Sequence, residues 1–364
     1  MNPGEVWWGQ IGTSLRFIES VTNCLRDCRS TVLQVPQQIP WKTVFYSAID
    51  LRRTAYCGER RLVRLDWTEG MEPGEFILDE LCSSRTKADY WPGQSYAAYL
   101  GQKEDILICD YYVWITGVHT KADIDKWSCF IGEYVQAAHL LPRAAVFIIE
   151  YDGQPAVSET PSVPVLHYDV ASYDCRVFAL EISSTLNNAE LQNYQAELAY
   201  SISGSDPEFC FALLEAGEKF VREPVISAMS IAQSHQSSCG VRFKQISETQ
   251  AESSVWEAAL VQLFPILERF RMDIVSQYEA SFLAELPISN AYGEKITDPK
   301  DLEIGMIYSL AVKKLIFSSE NGKKVNLCRR VRNYLAHNKT VPYNEVCAIY
   351  AINEQLQQSM HNDN

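Results

Sequence analysis

The first half of the chain alternates short apolar runs with amphipathic stretches. The runs are rich in Val, Ile and Leu and predict strands at Thr31–Val35, Leu62–Asp66, Asp105–Asp110, Ala144–Glu150 and Arg176–Ile182. Runs of this kind are typical of strands buried on both faces of a parallel sheet. Helical patterns lie between them at residues 14–26, 42–53 and 123–141. We therefore predict a three-layer α/β domain over residues 1–190.

The pattern becomes helical after residue 190. Asp206–Pro207 and Asp298–Pro299 each place an N-cap residue before a proline, which is a helix start signal. Residues 191–248 are predicted to be a helical connector that ends in a Ser- and Gln-rich linker. Residues 249–364 are predicted to form a four-helix bundle. Its helices are expected at 254–283, after Asp298, at 324–338 and after Pro342.

Composition narrows the class of protein. The 364 residues are 47% hydrophobic, and no run approaches the ~18 apolar residues of a membrane helix. The amino-terminal residues show no signal peptide, so a cytoplasmic protein without a membrane partner is expected. Eleven cysteines without a CxxC pair predict reduced thiols. No cluster has metal-ligand spacing, so neither a metal site nor a cofactor is predicted.

Charge is distributed unevenly. The net charge is −14, yet residues 311–340 hold eight lysines and arginines against one acid. A basic stretch in an acidic protein can bind a polyanion locally, and RNA is the candidate polyanion. The alternative is a solvated basic face. The candidate RNA-binding residues are Lys323, Lys324, Arg329, Arg330 and Lys339.

The helix predicted at 324–338 also carries Arg332, Asn333 and His337. Asn333 and His337 lie one turn apart on a polar face, and Arg332 lies about 140° from His337. The imidazole could act as acid or base on a 2′-hydroxyl or on the leaving oxygen. The guanidinium could hold the phosphate, and Asn333 could orient either group. The three residues therefore suit RNA cleavage without a metal.

Arg332-Asn333-x-x-x-His337, on the third helix of a predicted four-helix bundle, resembles the Arg-x(4–6)-His motif of HEPN domains. The resemblance implies a homodimer, often with metal-independent endoribonuclease activity. Arg332 and His337 would then be catalytic and Asn333 supporting. Such domains occur as toxins and as effectors of phage defence, where partner proteins are expected. The alternative is structural, with His337 bonded to the last helix carbonyls and Asn333 joining helix to helix.

The segment after the first strand resembles a P-loop. Pro36 to Thr43 keeps the Lys and Thr of the Walker A pattern, at Lys42 and Thr43, but both glycines are replaced. Asp110 follows an apolar run, like a Walker B acid. Prolines at 36 and 40 lack the N–H groups on which a phosphate loop depends. The domain is therefore similar to a degenerate P-loop ATPase module, and ATP hydrolysis is not expected.

Three functions remain open from the sequence. The first is a HEPN-type endoribonuclease regulated by a P-loop-like domain that cannot hydrolyse nucleotide. The second is a non-catalytic scaffold that binds partners of a defence or regulatory complex. The third is a sensor that binds ATP through Lys42 without hydrolysing it, although Lys42 is also an ordinary residue for a first helical turn.

Overall fold

The structure is a computed structural model. It describes residues 2–102, 108–141, 143–153, 163–185, 191–289, 293–314 and 317–362, with side chains described to residue 358. The chain forms two compact units, unit 1 (Met1–Asp174) and unit 2 (Cys175–Asn364). Helices lie on both sides of residue 190, the predicted end of the first domain.

Unit 1 is built on a five-stranded parallel sheet of order β2-β3-β4-β1-β5. Its strands are β1 (Thr31–Gln34), β2 (Arg61–Asp66), β3 (Tyr111–Val118), β4 (Val146–Tyr151) and β5 (Val165–His167). Its helices are α1 (Pro3–Gln10), α2 (Gly12–Arg26), α3 (Lys42–Tyr56), α4 (Pro73–Leu81), α5 (Ser84–Ala88), α6 (Tyr96–Gly101) and α7 (Lys121–Ala137). The prediction of an α/β domain with a parallel sheet is confirmed.

Helices cover both faces of this sheet because its central strands are apolar over most of their length. On β3, Val113 and Ile115 join a core that includes Trp127 of α7. Trp114 points to the opposite face, where its ring lies 6.0 Å from that of Phe45 on α3. Alternate side chains of one strand therefore enter two different cores, as expected for a strand without a solvent-facing side.

Two predicted strands are wrong. Residues 108–110 form a turn, and β3 begins at Tyr111; the first part of the predicted Asp105–Asp110 strand lies outside the described residues. The segment Arg176–Ile182 belongs to the helix α8 (Ser172–Ser184), within which the two units divide.

The described part of unit 2 is mainly helical and includes a small antiparallel pair of strands, β6 (Ile288–Ser289) and β7 (Lys295–Ile296). Its first helices after α8 are α9 (Gln192–Ser203), α10 (Pro207–Glu215), α11 (Gly217–Arg222) and α12 (Pro224–Ser234). They are followed by α13 (Glu248–Gln277), α14 (Glu279–Leu283), α15 (Ile304–Lys314), α16 (Ser319–Ala336) and α17 (Tyr343–Asn362).

Helix α13 is the centre of unit 2. It packs against α9 and α12 of the predicted connector and also against α16 and α17. It begins at Glu248, six residues before the predicted start, because Ser247 and Gln250 form a reciprocal capping box. The Asp298–Pro299 signal opens a short 3₁₀ turn, Pro299–Asp301, and α15 starts only at Ile304.

Candidate functional site

Helix α16 presents the Arg-Asn-x-x-x-His segment. The Ser318 hydroxyl caps its start by accepting a 3.2 Å hydrogen bond from the Asn321 backbone. Its buried face consists of Val325, Cys328, Val331 and Leu335. The helix packs on α13, α15 and α17 through this face, which leaves Asn333 exposed on another side.

His337 directly follows the last residue of α16 and its side chain is exposed. In the described part of the chain its ring has no hydrogen-bond partner. The last turn is held by another group, since Trp256 Nε1 on α13 donates a 2.8 Å hydrogen bond to the Leu335 carbonyl. Asn338 has φ = 52°, a left-handed conformation that ends the helix. The imidazole is therefore presented to solvent from a fixed helix end.

Arg332 is directed to a different neighbour. Its Nη2 lies 3.5 Å from Glu303 Oε2, just before α15, and its side chain is half-exposed. No side-chain hydrogen bond joins Arg332, Asn333 and His337 within the described residues. The structure thus brings the amide and the imidazole to one exposed surface and holds the guanidinium at the flank, beside an acid.

The five candidate RNA-binding residues differ in their surroundings. Lys324 Nζ lies 2.8 Å from Glu320, and Arg330 Nη2 lies 3.1 Å from Glu345. Arg329 lies with its guanidinium carbon 4.6 Å from the ring centre of Tyr308. Lys323 and Lys339 are exposed and have no ion-pair partner in the described part of the chain. One acid of α16 itself and one of α17 therefore offset part of the local positive charge.

In unit 1, the P-loop-like segment places Lys42 at the first position of α3. Lys42 Nζ lies 2.6 Å from Glu150 Oε1, and the Glu150 side chain is only 6% exposed. Thr43 is exposed, and its carbonyl accepts a hydrogen bond from Ser47. Lys42 therefore neutralises a buried carboxylate of the same domain.

The loop before Lys42 is packed against helix α1. Trp8 Nε1 donates a 2.7 Å hydrogen bond to the Pro40 carbonyl. Trp41 has φ = 44°, and a side chain at Gly4 would lie 2.9 Å from its Cβ. The loop thus directs a carbonyl and an indole to the protein, whereas a phosphate loop directs its N–H groups to the ligand.

Asp110 lies at the opposite edge of the sheet from Lys42. It precedes β3 and pairs with Arg143, whereas Lys42 follows β1. All the strands between these positions run parallel, so Asp110 is at their amino ends and Lys42 at their carboxyl ends. A nucleotide site made of Lys42, Thr43 and Asp110 together is excluded by this arrangement.

The structure shows a cleft at the carboxyl edge that sequence analysis missed. It has a volume of about 450 Å³ and is lined by Lys42, Tyr46, Arg64, Asp66, Thr116, Gly117, His119, Glu150 and Asp152. Ligands of parallel α/β sheets bind at this edge, and polar residues at the ends of the strands were the available signal. The incorrect start of β3 concealed it, because Thr116 was not placed on a strand.

The charged groups of this cleft are largely paired with one another. Tyr46 donates a 2.7 Å hydrogen bond to Glu150 Oε2, and burial followed by the charge of Glu150 raises the pKa of Tyr46. His119 Nδ1 lies 2.5 Å from Asp152 Oδ1. The Arg64 guanidinium carbon lies 4.5 Å from the ring centre of Tyr46. Among the described residues no group of three or more His, Cys, Asp or Glu side chains could hold a metal ion.

Known proteins show no family relationship to this chain and only a weak structural similarity. No protein family and no curated protein matches the chain. Among solved structures, a chain of "Structure of Drosophila ORC bound to DNA" is similar over 91% of this chain and 83% of its own, with 9% identity and a TM-score of 0.34. A similarity of that size does not establish a shared fold or function. No helix in the described ranges is long and apolar enough to cross a membrane.

Proposed function

We propose that the chain is a metal-independent, HEPN-type endoribonuclease of the cytoplasm, acting as a homodimer through its carboxyl-terminal helices. The observation that carries this proposal is the exposed imidazole of His337, which lacks a partner among the described residues and lies one turn after exposed Asn333. The alternative role for His337, as a cap of the last carbonyls, is not supported, since Trp256 bonds the Leu335 carbonyl.

In this proposal His337 transfers protons and Arg332 binds the phosphate. The 2′-hydroxyl loses its proton and attacks phosphorus, and the 5′-oxygen leaves with a proton. A histidine ordinarily titrates close to the working pH, which suits either transfer. Arg332 must leave Glu303 to reach a phosphate, and the 3.5 Å distance between their side chains is longer than a strong charge-assisted hydrogen bond.

Unit 1 has a regulatory role in the proposal, as a P-loop-like domain without nucleotide hydrolysis. The ion pair of Lys42 with Glu150 and the carbonyl of Pro40 bound by Trp8 both support the absence of phosphate chemistry. A role in phage defence, with partner proteins of such a system, belongs to the same proposal and follows from the HEPN resemblance alone.

A second candidate is a non-catalytic scaffold. The pairing of Arg332 with Glu303 favours it, since an inactive motif has no need of a free guanidinium. The two candidates differ in what Glu303 does. In a nuclease Glu303 restrains a catalytic group, whereas in a scaffold it forms one more surface ion pair of little energetic value.

Purified wild-type protein and three variants incubated with total RNA and tRNA in EDTA test the nuclease. We expect the wild type to cleave RNA. His337→Ala should lower the rate by at least about 100-fold, since general acid–base catalysis contributes that much. Glu303→Gln should cleave faster than the wild type, because it releases Arg332. His235→Ala is the matched control, because His235 is also an exposed histidine of unit 2 that follows a helix.

Equal cleavage by the wild type and His337→Ala would identify a contaminant. No cleavage by the wild type or by Glu303→Gln would favour the scaffold, and the next measurement would then be capture of a partner protein. A dimer would be seen by sedimentation velocity in either case, so the oligomeric state does not discriminate between the two.

A further inference from the structure

A pocket of unit 2 opens beside the end of α16. Its volume is about 290 Å³. Aromatic, aliphatic and charged groups converge on it, including Tyr194, Arg222, Ile226, Thr340, Val341 and Tyr343. Thr340 to Tyr343 belong to the connection from α16 to α17, so the wall of the pocket begins three residues after His337. Three residues of chain span at most about 11 Å, which places Thr340 near the proposed catalytic imidazole.

A cation and an aromatic ring stack on each other at this pocket. The Arg222 guanidinium carbon lies 4.7 Å from the ring centre of Tyr343. Glu218 fixes the guanidinium by accepting hydrogen bonds of 2.9 Å from Nε and 2.6 Å from Nη2. The Tyr343 hydroxyl lies 3.4 Å from the same carboxylate oxygen. Arg222 is thus held in one plane while more than half of its side chain stays exposed.

The charges around the pocket disfavour an anionic ligand. Glu218 and Glu223 flank Arg222, and the carboxylate of Glu218 already neutralises the guanidinium. The remaining wall is apolar, with Val341 buried and Ile226 63% exposed at the rim. A flat, uncharged group with an aromatic face and a polar edge fits such a site. Unpaired nucleobases are bound in this way, by stacking on aromatic rings and on arginine.

We propose that this pocket binds one unpaired nucleobase of the RNA, next to the phosphodiester at His337. The inference rests on the proposed nuclease function and specifies its substrate as single-stranded RNA. The exposed Lys339, between His337 and the pocket, lies where the backbone of the same strand would pass. The pocket then determines which position along the strand is presented to His337.

Binding of fluorescein-labelled oligonucleotides to the full-length His337→Ala protein in EDTA tests the pocket. Fluorescence anisotropy would compare an unpaired RNA 10-mer with the same sequence as a duplex. Adding Tyr343→Ala is expected to weaken binding of the single strand by about tenfold to a hundredfold, the loss typical of one stacked base. Tyr343→Phe keeps the ring and should bind within about twofold of the parent. Tyr56→Ala is the control for loss of an exposed tyrosine.

A second variant distinguishes loss of the pocket from misfolding of the Tyr343→Ala protein. Ile226→Trp fills the rim of the pocket without changing a buried residue, and it should weaken the single strand as Tyr343→Ala does. A series of RNAs with one abasic position each should show a single position whose loss matches Tyr343→Ala. Equal affinity of the parent, Tyr343→Ala and Ile226→Trp, or equal binding of duplex and single strand, overturns the inference.

Failure of the inference is distinguishable from failure of the proposed function. Cleavage by the wild type with unchanged cut sites in Tyr343→Ala and Ile226→Trp would keep the nuclease and remove the base pocket. Single-strand binding that depends on Tyr343, without cleavage by the wild type, would keep the pocket and remove the nuclease.

Discussion

Glu150 illustrates at the scale of one residue how unit 1 satisfies a buried charge with its own side chains. Its carboxylate is almost completely buried at the end of β4 and is satisfied by Lys42 and by the Tyr46 hydroxyl. A buried carboxylate without partners costs far more than the pair itself contributes. Lys42 is therefore constrained by folding, independently of any phosphate.

Lys42→Met is expected to lower the free energy of unfolding of unit 1 by about 1–3 kcal/mol, because it leaves Glu150 with one partner. Urea titration followed by tryptophan fluorescence measures this, since seven of the eight tryptophans lie in unit 1. Addition of Glu150→Gln should recover part of the loss by removing the charge. Lys121→Met breaks only the exposed pair with Asp125 and should change stability by less than about 1 kcal/mol. If ATP raised the melting temperature and Lys42→Met abolished that rise, the result would instead support a sensor that binds ATP through Lys42.

At this scale the sequence predicted some features and missed others. The prolines at 36 and 40 indicated that the loop lacks phosphate-binding N–H groups, and in the structure the Pro40 carbonyl is bound by Trp8 of α1. Glu150 stood at the end of a predicted strand, but the sequence did not indicate that Lys42 and Tyr46 of α3 would be its partners. The sequence left open whether Arg332 turns towards His337, because its contact with Glu303 depends on the packing of α15, which a helical wheel does not contain.

At the scale of elements, the start of α13 depends on a local signal. The hydroxyl of Ser247 accepts a 3.3 Å hydrogen bond from the Gln250 backbone, and Gln250 Oε1 accepts one of 3.1 Å from the Ser247 backbone. Two N–H groups that would otherwise lack partners are thereby satisfied. Because α13 contacts both early and late helices of unit 2, its first turn affects the stability of the whole unit.

Ser247→Ala should destabilise unit 2 by about 1 kcal/mol, the usual value of a lost N-cap. Ser253→Ala in the same helix is the matched control. Ser253 is exposed in the helix interior, so alanine there should be neutral or slightly stabilising. Thermal unfolding followed by far-ultraviolet circular dichroism measures both variants. Equal melting temperatures would mean that the capping box contributes nothing.

Predicted elements failed where apolar runs have no clear period. The segment Arg176–Ile182 contains so many apolar residues that it fits a buried strand. In the structure Phe178, Ala179 and Ile182 are buried while Val177 and Leu180 are exposed, which is the spacing of one helix face. The strands at 31–34, 61–66 and 146–151 were found because turn residues bound each run and helical patterns separate them.

At the scale of the whole molecule, each of the two units contains a buried cysteine whose reactivity indicates whether that unit is folded. Burial raises the pKa of Cys24 in unit 1, and it raises the pKa of Cys328 in unit 2 to about 12. At pH 8 such groups remain thiols, and only the thiolate is alkylated. Each should therefore react only after its surroundings unfold.

Alkylation by iodoacetamide across a urea series, read by mass spectrometry, should give one transition for Cys24 and one for Cys328. Lys42→Met should move the Cys24 transition to lower urea and leave that of Cys328 in place. Exposed Cys239 should react without urea and serves as the internal reference. A shift of both transitions by the same amount would show that the two units unfold together.

The hydrogen bond from Trp8 to Pro40 limits which substitutions could turn the loop before Lys42 into a phosphate-binding loop. Glycines at positions 36 and 41 would complete the Walker A sequence pattern, but α1 would remain packed on the loop through Trp8 and Gly4. A nucleotide site at this loop would require α1, the loop and the partner of Glu150 to change together. A change that frees the Pro40 carbonyl or Lys42 alone would leave the Trp8 indole N–H or the Glu150 carboxylate without that partner.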